Sequence, residues 1–160
     1  MTKTTVERAK FKREINKALF ADSDIRTLLI GDTTNLTDEQ IRQEFKEHVF
    51  SHLFIDDTIE IADTFIFYDV VFPRLRPNVK QCQVHMYLIC HREILDSIES
   101  DKYYGDRVDV LTQMVENALI NNQDTVHRFG IGELQIDSIE IYNALRFYGT
   151  HLIFSVPNFR

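Results

Sequence analysis

From Gln81 to Cys90 the chain alternates without a break. Cys82, Val84, Met86, Leu88 and Cys90 point one way, and Gln81, Gln83, His85, Tyr87 and Ile89 the other. A period of two over ten residues is that of a strand, and it commits the chain to a sheet with one strongly apolar face. Upstream, Thr64 to Phe72 is β-branched and aromatic, apolar on both sides except at Asp69, and is followed by Pro73. Such a strand is central in its sheet, or is covered on its second face by a neighbouring subunit. Proline is expected to end it, leaving Pro73 to Asn78 as an exposed loop.

The first third has a different period. Thr4 and Glu7 have capping-box spacing, and Phe11, Ile15, Ala18 and Leu19 then share one helical face. The opposite face is basic, with Lys10, Lys12, Arg13 and Lys17, diluted by Glu7 and Glu14. Asp22 to Asp24 break this helix, and a short turn of helix through Ile25, Leu28 and Leu29 stops at Gly31. Thr37 and Gln40 mark the next start, with Leu36 and Ile41 placed as a staple. The stripe Ile41, Phe45, Val49 and Leu53 predicts a helix running to about Phe54.

After the two strands, Gly105 and Asp106 open a helix whose buried face is Val108, Leu111, Val115, Ala118 and Leu119, closed by Asn121 and Asn122. Leu134 to Tyr142 and Tyr148 to Val156 read as two more strands, with Asn143 to Phe147 as their turn. The order predicts an α+β fold: a mostly antiparallel sheet of about four strands, with helices packed on one face. Residues 1–160 are read as a single domain, with a helical part at 1–55 and a sheet part at 64–160 that carries one long helix at about 105–121.

Charge and composition narrow the function classes. The net charge is −7 and the pI about 5.3, opposite to the basic balance usual for a DNA- or RNA-binding module, which argues against tight nucleic-acid binding. No apolar run approaches the roughly 20 residues of a membrane span, and no signal peptide is expected. Cys82 and Cys90, eight residues apart on one strand, are separated by roughly 26 Å, too far for a disulfide. Twelve Phe and six Tyr must be buried in a core or at an interface.

Catalytic signatures are weak. His48 and His52 at helical i, i+4 spacing could hold one edge of a zinc site, but the Glu that zincins place after the first His is replaced by Val49. Asp56, Asp57, Glu60 and Asp63 lack the EF-hand register and read as a solvated acidic loop. Gly130-Ile131-Gly132 precedes a strand, whereas a dinucleotide fingerprint follows one. His85 and His91 lie too far apart on one strand to act together. No catalytic residue, metal or cofactor is expected.

Three features from Lys80 to Phe159 together resemble a known family. These are the long alternating strand Gln81–Cys90, the helix opening Gly105-Asp106-Arg107-Val108, and a closing hairpin that ends in the apolar strand His151-Leu152-Ile153-Phe154-Ser155-Val156. This half of the chain resembles the tail-terminator and tail-completion proteins of tailed bacteriophages, which join head to tail at the neck. The resemblance implies a structural virion protein, assembled in the host cytoplasm, that forms a ring, usually a hexamer. The ring would cap the tail tube protein and meet the head connector or head-completion protein, with DNA passing through its lumen without specific binding. It implies no catalytic residues and no membrane. The alternatives from the residues themselves are a small metal-dependent hydrolase using His48, His52 and the acidic loop, or an acidic regulator binding nucleic acid through its first helix. The residues proposed for assembly are Arg74 and Arg76 between two prolines, Phe65, Phe67 and Tyr68 in the doubly apolar strand, and Lys10, Lys12 and Lys17 on the first helix.

Overall fold

A computed structural model describes residues 3–55, 61–98, 100–121 and 134–159. Asp56, Asp57, Glu60, Asn122 and the Gly130–Gly132 turn lie outside them.

The described residues form an α+β fold. Helices α1 (Lys3–Ala21), α2 (Ser23–Ile30), α3 (Asp38–Lys46) and α4 (Arg107–Glu116) accompany five strands: β1 (Val49–Phe50), β2 (Thr64–Arg76), β3 (Val79–His91), β4 (Gln135–Ala144) and β5 (Phe147–Phe159). The sheet order is β1-β2-β3-β5-β4, antiparallel throughout except for the parallel β1/β2 pair. No described helix is long and apolar enough to cross a membrane.

The long alternating strand is the third of the five in the sheet. Cys82, Val84, Met86, Leu88 and Cys90 are fully buried. All but Cys90 join the main core under the helices, where Phe11, Ile15 and Leu19 of α1 and Leu111 and Val115 of α4 meet them. Each such side chain removed from water contributes about 1.5–3 kcal/mol. Both cysteines are free thiols, and burial pushes Cys82 up to about 12, so the thiolate is suppressed.

Helix boundaries follow local chemistry where caps exist. Asp22 caps α2 by accepting from the Ile25 N–H (3.0 Å), and Gly31 ends it at a φ of 86°. Thr37 and Gln40 form the expected capping box. Asp106 and Asp109 form another at the start of α4, which continues into a π turn at Asn117–Asn121. Thr4 lies inside α1, which begins by Lys3, so Thr4 is not its cap.

The predicted helix to Phe54 is corrected. α3 stops at Lys46, and Val49 and Phe50 leave it to pair with Ile66 and Phe67 of β2. Backbone pairing to a long strand outweighs the helical stripe that Val49 would have continued. The end of β2 is corrected too. The strand passes through Pro73 with a register shift between Val71 and Arg74, and turns at Pro77-Asn78 into β3. Proline is tolerated there because it falls in the bulge of the β2/β3 ladder, and β1 pairs with the outer side of β2 only at Ile66 and Phe67. Arg74 and Arg76 therefore belong to a β-hairpin arm and not to a loop. The β4–β5 turn is likewise tighter than expected, with Leu145 and Arg146 between the strands.

β2 is second from one edge of the sheet, and its doubly apolar character has a source within the chain. Ile66, Tyr68 and Val70 enter the core under the helices. Phe65 and Phe67 enter a second, aromatic cluster on the opposite face, with Ile89 and Phe147 and with Phe50, Tyr87 and Tyr142 packed against them. Phe50 stacks on Phe67 at 4.9 Å between ring centroids.

Candidate assembly surface

In an antiparallel pair, residues directly opposite one another share a face of the sheet. The registers therefore trace rows across it. Phe67, Tyr87, His151 and Glu140 form one row on the helix-free face. Tyr68, Met86, Leu152 and Ile139 form the adjacent row on the helix side. Ile136 of β4 packs against the main core, but the helices do not cover the strand beyond it, so Ile139 and Ile141 stay 60% and 77% exposed although they stand on the core side.

β4 is the outer strand at that edge, with no described strand beyond it. A long edge strand bearing apolar side chains is a template for pairing with another chain. Its charged residues sit on the helix-free face: Glu140 is opposite His151, and Asp137, at the β4 bulge, accepts a hydrogen bond from Ser155 Oγ (2.8 Å). At the other edge the β2–β3 arm exposes Arg74, Arg76 and, at 56%, Leu75.

The other proposed residues are more occupied. Tyr68 is fully buried; its hydroxyl donates to the Lys12 carbonyl (2.9 Å), and burial raises it to about 12. Phe65 and Phe67 are buried in the aromatic cluster, so in the single chain they are core. Lys12 pairs with Asp69 (2.9 Å) and donates to the Ser51 carbonyl (2.7 Å). Arg8 also reaches Asp69 (2.5 Å). Partial burial works to raise the Asp69 carboxyl, but hydrogen bonds from Lys12 and the Val70 N–H, with the charges of Lys12 and Arg8, hold it below its ordinary value. Lys17 lies 3.4 Å from Glu14, and Lys10 is exposed. Of the basic face of α1, Lys12 thus fastens the helix to β2, together with Arg8.

The histidines do not assemble as a helical pair, because α3 ends before both. His48 is buried, donating from Nδ1 to the Thr64 carbonyl (2.9 Å), while His52 Nδ1 accepts from the Phe54 N–H (3.2 Å). No group of three metal-ligating side chains occurs among the described residues. A cleft of about 840 Å³ opens between α2, α4 and the start of β2. Its polar groups bind one another: Tyr103 donates to Asp24 (2.6 Å), and Arg107 donates from Nε to Thr64 Oγ1 (2.7 Å) and from Nη2 to the Leu28 carbonyl (2.5 Å). The cleft is a joint between helices and sheet.

One contact invisible in the sequence joins His85 to His151, Nδ1 to Nε2, at 3.1 Å. The His151 ring stacks on Tyr87 at 4.2 Å. Burial lowers the His85 pKa, the His151 charge lowers it further, and Asp69 and Glu140 oppose the shift. A depressed histidine contributes stability that is present above the unfolded value near 6.5 and lost as pH falls through it toward the folded value. Lowering the pH from about 7.5 to about 5.5 is therefore expected to reduce the urea midpoint. His85→Gln should lose less over the same interval, and an equal loss would assign the effect elsewhere.

Residues 14–156, from within α1 almost to the end of β5, match the family model described as YomW. The chain belongs to the YomW family. YomW is a phage-derived family, which places the chain among bacteriophage proteins. No curated protein matches it. The YomW match takes in all five strands, β5 as far as Val156, and with them both edges of the sheet.

Proposed function

We propose that the chain is a structural subunit of the phage particle, a tail-terminator or neck ring protein that closes the tail tube and joins it to the head. The observation that carries this reading is the exposure of apolar residues at both lateral edges of one sheet, Leu75 at one and Ile139 and Ile141 at the other. A subunit with two open and unlike edges repeats head to tail, and a head-to-tail contact that closes on itself makes a ring. The phage origin of the family and the strand–helix–hairpin pattern over residues 80–159 support it.

On this reading the protein is not an enzyme. It acts as a homo-oligomer, a hexamer by resemblance, with the tail tube protein on one side and the head connector on the other. Its acidic balance suits a lumen that DNA crosses without sticking. Native mass spectrometry of the purified chain is expected to give one closed oligomer larger than a dimer. A monomer that persists as concentration is raised would contradict the reading.

A further inference from the structure

We infer that neighbouring copies join edge to edge, the outer edge of β4 in one copy against the β2–β3 arm of the next, so that the sheet continues around the ring. The inference rests on the ring reading and names its contact.

The two edges are complementary in charge. The arm carries Arg74 and Arg76, both exposed, and β4 carries Asp137 and Glu140, also exposed. They are complementary in facing as well. Arg74 is opposite Gln81, and Gln81 alternates with the core-facing Cys82, which puts Arg74 and, two residues on, Arg76 on the helix-free face. Glu140 is opposite His151 on that same face, and Asp137 reaches Ser155, which is opposite Gln83 there. Leu75 falls on the other face, the side of the sheet on which Ile139 and Ile141 stand.

A sheet continued from copy to copy keeps its two faces in register. Joining these edges therefore sets the arginines beside the carboxylates on one side, and Leu75 beside the two isoleucines on the other. The same edges joined to themselves would set Arg against Arg or carboxylate against carboxylate, which favours the head-to-tail contact over a two-fold dimer. Both edges have room for it: β1 pairs with the outer side of β2 only at Ile66 and Phe67 and Arg8 takes the Val70 carbonyl, both short of the arm that carries Arg74 and Arg76, and no described strand lies outside β4.

Charge exchange tests this. One variant carries Arg74→Glu with Arg76→Glu, and a second carries Asp137→Arg with Glu140→Arg. Each alone puts like charges at every contact, and the concentration needed for assembly is expected to rise by more than about tenfold. Mixed in equal amounts, the acidic arm of one meets the basic β4 of the other at alternate contacts, and the reverse at the rest. The mixture is expected to assemble near the wild-type concentration, which also shows that neither variant is merely misfolded. Wild-type oligomers with both variants assembling as wild type, or a mixture that stays dissociated, would overturn this contact and leave the ring reading standing. Wild-type chain that never assembles would overturn both.

Discussion

Gly149→Ala is expected to cost about 3 kcal/mol or more of stability, a large share of what a domain of this size has. Gly149 lies opposite Ile89 in β3 and Tyr142 in β4. A methyl group there would run into the Leu88 carbonyl oxygen and come within 2.9 Å of the Ile89 Cα. These are backbone atoms of the strand held between β2 and β5, so they cannot yield without moving β3 against both neighbours. Glycine is used here for close approach of two backbones. Urea unfolding of the variant measures the cost. A change within about 0.5 kcal/mol, the range of an ordinary surface substitution, would contradict the close approach.

Arg107→Met is expected to cost about 3 kcal/mol, because it removes two hydrogen bonds from a charged donor while keeping most of the side-chain stem. One goes to the Leu28 carbonyl in the last turn of α2, which the helix itself leaves unpaired. The other goes to the hydroxyl of Thr64, the fully buried first residue of β2. A single side chain at the start of α4 thus ties α2 to the sheet. Arg107→Lys should recover only part of the loss, since an ammonium cannot reproduce the planar fork. Thermal unfolding of the two variants side by side checks the ordering Arg, Lys, Met. Equal stability of all three would show that the cleft is held by apolar packing alone.

The parts of the fold legible in the sequence were those specified locally. The run from Cys82 to Cys90 declares a strand and its buried face by alternation. The Thr37/Gln40 box and Gly31 mark helix ends through bonds made within a few residues. What was hidden depends on partners distant in sequence. Val49 fits a helical stripe as well as a strand, and only its pairing with Ile66 decides. Proline at 73 suggests a strand end unless the edge it occupies is known to be open.

The surface follows the same division. Arg74 and Arg76 could be picked out as exposed charges, but their partners on β4 could not. Ile139 and Ile141 look like core positions until the sheet order puts them at an edge where the helices do not cover them. Phe65, Phe67 and Tyr68 looked available for a neighbour because their cover comes from Phe50, Phe147 and the helices of the same chain. The His85–His151 contact spans 66 residues and follows from the β3/β5 register.

Self-association through two unlike edges is the claim on which the functional reading depends. Negative-stain imaging of the purified wild-type chain, at concentrations where native mass spectrometry detects an oligomer, tests it most directly. Closed rings with a central opening and one rotational symmetry are the expected result. Isolated monomers, two-fold dimers or open filaments in their place would contradict it.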